Sequence, residues 1–253
     1  MIINSSSVLV LDSGIGGISL LKMLHKKFKN ENFIYFADNE FIPYGNKKDS
    51  AIRQRLENIV DMFVKKYNIK MVVLACNTAT TVGMKYLQNK FNIHIYGVNP
   101  LQDIPNNSVI VCTKLTAKEL SKRQYLNFDN NVAKNPHCKY LVLPKLASFV
   151  ENNYFNKTKL NKKVKSIIEK YHLDECKNIV LGCTHYELIA QYFQANLNNT
   201  KIILPSKNTL NNIIKDKSIQ LVESKSIGTV YFMSSLPSKS YIDKLYYIFG
   251  HWW

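Results

Sequence analysis

The chain has 253 residues, of which 46% are hydrophobic, and its formal net charge is +16. This apolar content is ample for the core of one large domain or two small ones. No apolar run reaches the ~18 residues that a membrane helix needs, and the first residues lack the basic and apolar regions of a signal peptide. We therefore expect a cytoplasmic protein that does not enter a membrane.

The positive charge is spread thinly along the chain, mostly as lysine on segments with helical periodicity. A dedicated nucleic-acid-binding element would concentrate that charge on one tail or one face. We expect a solvated basic surface with at most a weak, salt-sensitive affinity for nucleic acid.

Short apolar runs alternate with segments of helical periodicity throughout the chain. The predicted strands cover residues 8–11, 33–37, 71–75, 93–98, 109–112, 140–143, 178–182, 201–204 and 229–233. Helices are predicted around residues 20–28, over 50–67, around 82–87, near 116–125, 160–171 and 188–197, and after the last strand to about residue 249. This alternation predicts an α/β fold with parallel sheets. Polar breaks at residues 100–107 and 205–209 are the candidate crossings between two closely packed domains.

The cysteine content argues against a disulfide framework. There are five cysteines, an odd number, with no C-x-x-C pair: Cys76, Cys112, Cys138, Cys176 and Cys183. In a cytoplasmic protein, such thiols are available for chemistry.

Two of these cysteines lie in similar segments, one in each half of the chain. Residues 72–78 read Val-Val-Leu-Ala-Cys-Asn-Thr, and residues 179–184 read Ile-Val-Leu-Gly-Cys-Thr. Both Cys76 and Cys183 are therefore expected at the carboxyl end of a parallel strand, where ligands bind in such sheets. Each also opens a helix, and a helix N-terminus favours the thiolate form of cysteine.

Two thiols at matched positions suit one kind of reaction. Inverting a stereocentre by proton transfer needs a base on one face of the carbon and an acid on the other, with the roles exchanged in reverse. Most free cysteines are simply small buried hydrophobes, but the matched pair favours a cofactor-independent racemase.

Three further segments are expected near the cysteines. Residues 12–17 (Asp-Ser-Gly-Ile-Gly-Gly) end the first strand, and their glycines permit close approach to a carboxylate. They do not form a dinucleotide fingerprint, because Ser19 stands where a third glycine is needed. Residues 43–45 (Pro-Tyr-Gly) have the chemistry of a turn. His185, two residues after Cys183, is placed to polarise that thiol.

Together, four motifs resemble those of the glutamate racemase family. They are residues 12–17, residues 43–45, residues 75–78 (Ala-Cys-Asn-Thr) and residues 182–186 (Gly-Cys-Thr-His-Tyr). Their order and approximate spacing are similar to the family's, and the similarity covers nearly the whole chain. The resemblance implies interconversion of L-glutamate and D-glutamate without pyridoxal phosphate or metal, usually to supply D-glutamate for peptidoglycan.

The resemblance also implies a role for each matching residue. Cys76 would take the α-proton from D-glutamate and Cys183 from L-glutamate. Asp12 and His185 would assist the two thiols, and Glu151 would be an additional acidic residue near Cys183. The implied substrate-binding residues are Ser13, Pro43, Tyr44, Gly45, Asn77, Thr78, Thr116 and Thr184.

The family's fold is discontinuous, which implies one domain of residues 1–97 plus 206–253 and a second of residues 98–205. These would be two similar doubly wound parallel-sheet domains with the active site in the cleft between them, and a homodimer is expected. Three residues depart from the family's pattern: Glu187 replaces proline, Leu143 replaces cysteine and Asn99 replaces glutamate.

Other functions stay open at this point. A racemase for aspartate or another acidic amino acid would share the two-thiol chemistry. A Cys–His acyl-transfer enzyme would use Cys183 and His185, with Cys76 incidental. A catalytically weak member of the family would serve as a nucleic-acid or protein-binding module. A metal site is not expected, because Cys176, Cys183 and His185 lack a standard ligand spacing.

Overall fold

The computed structural model describes residues 6–125, 139–219 and 226–250. Cys138 lies outside these ranges. The strands within them, in chain order, are β1 (Ser7–Asp12), β2 (Asn32–Ala37), β3 (Ile69–Leu74), β4 (His94–Gly97), β5 (Ser108–Cys112), β6 (Lys139–Val142), β7 (Asn178–Gly182), β8 (Lys201–Ile203) and β9 (Val230–Ser234).

These strands form two sheets in which every pairing is parallel. One sheet has five strands in the order β4-β3-β1-β2-β9, and the other has four in the order β6-β5-β7-β8. The α/β class with two parallel sheets, predicted from the strand–helix alternation, is confirmed.

The helices are α1 (Ile18–Lys27), α2 (Asp49–Lys66), α3 (Asn77–Lys90), α4 (Lys114–Tyr125), α5 (Leu146–Asn153), α6 (Lys157–Tyr171), α7 (Thr184–Glu187), α8 (Ala190–Ala195), α9 (Pro205–Lys215) and α10 (Lys239–Gly250). Short 3₁₀ turns lie at Tyr44–Asn46 and Leu173–Glu175. Each of the first two helices buries one apolar face: α1 buries Leu20, Leu21 and Leu24, and α2 buries Ile52, Leu56, Ile59 and Phe63.

Both faces of the five-stranded sheet are covered, which explains why its strands are continuous apolar runs. Along β1, Val8 and Val10 belong to one apolar cluster, whereas Leu9 and Leu11 belong to another on the opposite face. The first cluster continues into the four-stranded sheet through residues such as Leu181. The two sheets therefore share one core and pack closely. Among the described residues, no helix has the length and apolar character needed to cross a bilayer.

The predicted helix near residues 188–197 is wrong in its extent. The chain forms the short helix α7, and α8 begins only at Ala190, because Ile189 leaves the helical conformation with φ −111° and ψ 15°. The predicted polar break at residues 205–209 is instead the beginning of α9. Pro205 occupies the first turn of that helix, where its missing N–H costs nothing.

The chain leaves the five-stranded sheet after β4 and returns to it as β9, which pairs with β2. Between these points, β5 to β8 form the other sheet. Helix α9 contacts α1 and β4, and it also contacts β7 of the four-stranded sheet. The division at residues 97/98 and 205/206 stays a prediction, because α9 touches elements of both sheets.

Candidate active site

The predicted catalytic residues gather where strands of both sheets end. Asp12 is the last residue of β1, Cys76 precedes α3 as its N-cap, and Cys183 joins β7 to α7. Both cysteines are 7% exposed. Carboxyl ends of parallel strands are the usual ligand-binding edge of such sheets, so the sequence pattern placed these side chains correctly.

The environment of Cys76 favours the neutral thiol. Burial, the Asp12 carboxylate and the charge of Cys183 raise the pKa of the Cys76 thiol far above its ordinary value, although the Ala79 N–H and Ser13 act in the opposite direction. The Ser13 hydroxyl lies 3.9 Å from the Cys76 sulfur. The predicted preference for a thiolate at the start of α3 is therefore outweighed by burial and by Asp12. The influence of Cys183 also places both thiols in one electrostatic site.

Asp12 joins the two cysteine loops. Its Oδ1 accepts a hydrogen bond from the Gly14 N–H at 2.8 Å, and its Oδ2 accepts one from the Thr184 hydroxyl at 2.9 Å. Burial raises the pKa of this fully buried carboxyl, outweighing the nearby His185 and both hydrogen bonds. Thr184, predicted to bind substrate, thus also ties the Cys183 loop to Asp12.

On the Cys183 side, the acid–base partners form an ion pair. His185 Nε2 lies 2.7 Å from Glu151 Oε2, which also accepts the Ile15 N–H at 3.0 Å. Burial opposes charge on His185, but hydrogen bonds to Cys183 and Glu151 hold its pKa well above the ordinary value. Burial likewise opposes the Glu151 carboxylate, yet the hydrogen bond and charge of His185 lower its pKa to about 2. Both shifts favour the pairing of an imidazolium with a carboxylate.

Two glycines of residues 12–17 leave the space that Glu151 and His185 occupy. A Cβ on Gly14 would lie 2.4 Å from Glu151 Oε2, and one on Gly16 would lie 2.7 Å from His185 Nδ1. The loop's N–H groups bind carboxylates, as the sequence suggested, but those of Gly14 and Ile15 bind the protein's own Asp12 and Glu151.

Three threonine hydroxyls meet at the starts of α3 and α4. Thr78 Oγ1 lies 3.0 Å from that of Thr113 and 3.1 Å from that of Thr116, and the last two are 3.0 Å apart. The structure therefore brings the predicted Thr78 and Thr116 together. Thr113 was missed; its place directly after β5 is the signal that would have found it. Thr113 also explains Gly45, because a Cβ there would lie 2.6 Å from Thr113 Cβ.

The predicted residues 43–45 lie on the same side of the sheet. The Tyr44 hydroxyl donates to Asp38 Oδ2 at 2.7 Å, and Arg55 holds both oxygens of Asp38 at 2.6 and 3.0 Å. The peptide bond before Pro43 is cis. The Tyr44 hydroxyl is therefore already engaged by the protein. Burial and Asp38 are the main causes that raise the pKa of the Tyr44 hydroxyl, and Cys76 is a smaller one. The influence of Cys76 shows that this turn lies near the thiol.

Asn77 presents an open acceptor to the site. Its side-chain N–H group donates to the Val98 carbonyl at 3.2 Å, while its buried Oδ1 has no hydrogen-bond partner. A buried polar atom without a partner is costly, and a donor on a ligand, such as an ammonium group, would satisfy it. Within the described residues, no three His, Cys, Asp or Glu side chains are grouped as a metal ion requires.

Two residues that contact Glu151 were missed by the sequence analysis. Tyr241 and Lys244 of α10 both reach this side chain or its backbone. No spacing pattern links them to Glu151, because they are 90 and 93 positions away in the chain.

The chain is similar to known glutamate racemases. It is 30% identical over 252 residues to the glutamate racemase of Clostridium acetobutylicum, with 96% of this chain and 97% of that protein covered. It is 35% identical over 204 residues to that of Buchnera aphidicola from Acyrthosiphon pisum, covering 78% and 77%.

The fold is likewise similar to that of a glutamate racemase isoform from Bacillus anthracis. The TM-score is 0.82 at 23% identity, with 98% of this chain and 95% of that chain covered. No family model matches the chain.

Glu187, a departure from the racemase pattern, is buried next to the site. Its Oε1 accepts the Ser206 N–H at 3.1 Å in the first turn of α9, and its Oε2 has no hydrogen-bond partner. Burial raises the pKa of Glu187 to about 7, although Ser206 and Lys207 act to lower it. Glu187 thus connects α7, which carries His185, to α9.

Glu187→Gln should change how stability depends on pH. Because the folded-state pKa is raised above the ordinary 4.5, the native state is most favoured below pH 4.5, and that advantage is lost as the pH rises through about 7. Relative to the variant, the wild type should lose up to about 3 kcal/mol of unfolding free energy between acidic and mildly alkaline pH. Urea unfolding at several pH values measures this. The exposed Glu169→Gln is the control, and a difference independent of pH would contradict the assignment.

Proposed function

The chain belongs to the glutamate racemase family, and we propose that it interconverts L-glutamate and D-glutamate with two thiols acting on opposite faces of the α-carbon. One observation carries the proposal: Cys76 and Cys183 follow strands of different sheets, yet Asp12 acts on Cys76 and accepts a hydrogen bond from Thr184, the residue after Cys183. A Cys–His acyl-transfer enzyme has no use for the second thiol and its carboxylate.

We propose that each direction begins at a different cysteine. With L-glutamate, Cys183 takes the α-proton while the neutral Cys76 thiol donates one to the opposite face. The high pKa of Cys76 suits it to this acid role. His185, which hydrogen-bonds to Cys183, would assist proton transfer at that sulfur.

The reverse direction needs Cys76 to act as the base, which burial and Asp12 oppose in the free protein. The ammonium group of a bound amino acid would offset the negative charge of Asp12. Substrate binding would then lower the cost of forming the Cys76 thiolate. On this mechanism, the Cys76 thiolate forms only when an amino acid is bound.

Substrate contacts are proposed from the same geometry. The open Oδ1 of Asn77 would accept a hydrogen bond from the ammonium group. The buried side chains of Ser13, Thr78, Thr116 and Thr184 would supply further hydroxyls to the substrate. The turn that holds Tyr44 and Gly45 would lie by the side-chain carboxylate. Glutamate is proposed over aspartate because the curated relatives that match nearly the whole chain include several glutamate racemases.

The wider setting is also a proposal. Family membership supports a cytoplasmic enzyme that supplies D-glutamate for peptidoglycan. A homodimer and a weak affinity of the basic surface for nucleic acid stay predictions from the sequence, to be tested by sedimentation and by binding at two salt concentrations.

The direct test uses L-glutamate in D₂O with no added cofactor. We expect optical rotation to fall to zero and the D-glutamate formed to carry deuterium at the α-carbon, because the incoming proton comes from a thiol in exchange with solvent. Circular dichroism and proton NMR measure the two quantities. Parallel incubation with L-aspartate tests the substrate, and rotation that persists with both amino acids would overturn the proposal.

Cys76→Ser and Cys183→Ser should each abolish racemisation, because a serine hydroxyl is too weak a base at neutral pH. Each variant keeps one thiol, however, and elimination of chloride from 3-chloroglutamate needs only one proton removed. Cys76→Ser should act on the L form and Cys183→Ser on the D form, measured as chloride release. The near-isosteric change preserves packing. Racemisation at the wild-type rate by Cys76→Ser would instead favour Cys–His chemistry.

Asp12→Asn and His185→Asn should lower kcat unequally in the two directions, since each group assists a different thiol. The equilibrium constant between enantiomers is near unity, so kcat/KM must fall equally in both directions. The asymmetry therefore appears in kcat and KM separately, measured from L-glutamate and from D-glutamate. Equal changes of kcat in both directions would contradict the separate assignments.

A further inference from the structure

We propose that Tyr241 and Lys244 of α10 are positioning residues that hold the Glu151–His185 pair for proton transfer at Cys183, so that this helix controls one half of the reaction. The inference rests on the proposed function and names a feature of the same site. The two carboxylate oxygens of Glu151 bind different partners.

Each carboxylate oxygen of Glu151 has its own partners. Oε2 takes His185 Nε2 at 2.7 Å and the Ile15 N–H at 3.0 Å, whereas Oε1 accepts the Tyr241 hydroxyl at 2.9 Å. Tyr241 therefore fixes the rotation of the carboxylate about its last bond. Without that hydrogen bond, the orientation of the carboxylate rests mainly on the two contacts of Oε2, and Oε1 loses its hydroxyl donor.

Lys244 fixes the same residue at two points. Its ammonium group donates to the Glu151 backbone carbonyl and lies 3.6 Å from Oε1. Its side chain is only 19% exposed, so the charge is poorly screened by water. The Lys244 charge is one of the causes that lower the pKa of Glu151, after the contributions of His185.

The contact spans the two sheets. Helix α10 packs beside β9 and α1, which belong with the five-stranded sheet, whereas Glu151 lies on α5, which packs against α7 and its His185. Ile15, Tyr241 and Lys244 thus reach Glu151 from the five-stranded side. Because the Glu151 carboxylate is hydrogen-bonded to His185, these three contacts also limit the position of the His185 ring.

The Cys76 half of the site is built differently. The groups that influence Cys76 include Asp12, Ser13 and the Ala79 N–H. Glu151 acts on Asp12 only as the smallest of several influences, and the hydrogen bonds of the Asp12 carboxylate go to Gly14 and Thr184 rather than to α10. Loss of the Tyr241 and Lys244 contacts should therefore slow proton removal by Cys183 and spare removal by Cys76. A purely structural role would slow both equally.

The test compares Tyr241→Phe and Lys244→Met with matched controls on the same helix, Tyr246→Phe and Lys239→Met, whose side chains are exposed. The probe is 3-chloroglutamate. A thiolate takes the α-proton, the electron pair left on carbon expels chloride, and the dehydroamino acid is hydrolysed to 2-oxoglutarate and ammonium. Release of chloride is measured with the L form, which reports on Cys183, and with the D form, which reports on Cys76.

We expect Tyr241→Phe and Lys244→Met to lower elimination from the L form about tenfold, since small displacements of catalytic groups have effects of this size or larger. Elimination from the D form should stay within about twofold of wild type. Lys244→Arg, which keeps the charge, should restore most of the L-form rate. Both controls should match wild type, and thermal unfolding verifies that every variant folds.

Equal losses with both enantiomers, or no loss with either, would overturn the inference. The Cys183→Ser variant distinguishes failure of this inference from failure of the proposed function. If Cys183→Ser leaves L-form elimination intact, the two-thiol function is wrong. If Cys183→Ser abolishes it while Tyr241→Phe and Lys244→Met do not, only the role of α10 is wrong.

Discussion

A buried carboxylate that must stay charged is the constraint on which the site depends. Glu151 is 7% exposed, and an unpaired charge at that depth is strongly unfavourable; removing one partner of such a pair costs about 3–5 kcal/mol. Its cation is His185, and its other oxygen and its backbone are held by α10. The glycines at 14 and 16 follow from the same requirement, because a side chain at either position would displace Glu151 or His185. None of the described glycines has positive φ. Glycine is therefore needed at these two positions because a side chain would not fit, and not because of the backbone conformation.

The two halves of the site are similar in topology and unequal in charge. Cys76 and Cys183 both follow a strand and open a helix, yet one faces a buried carboxylate and the other an imidazolium ion pair. On the proposed mechanism, this inequality makes Cys76 the acid in one direction. The reverse direction would then depend on the positive charge of the substrate to complete the exchange of roles.

The elements and the cysteines were predictable because their signals are local. A buried parallel strand is an apolar run, and the residue after it lies at the ligand-binding edge, so Asp12, Cys76 and Cys183 could be placed from pattern alone. Thr113 is one residue past β5 and could have been found in the same way. The contacts of Tyr241 and Lys244 could not, because they depend on how α10 packs across the sheets. At Pro205 the sequence predicts a break, but proline is also favoured in the first turn of a helix, and here it begins α9.

The late return of the chain to the five-stranded sheet has a consequence for biosynthesis. Strand β9 is added beside β2 from residues almost 200 positions downstream, so this sheet lacks its edge until residues 230–234 have left the ribosome. The four-stranded sheet, whose strands all precede it, can form earlier. During that interval Glu151 lacks α10, and the exposed edge of β2 is open to pairing with another chain. Shortened translation products that end before β9 are therefore expected to aggregate rather than to persist as inactive monomers.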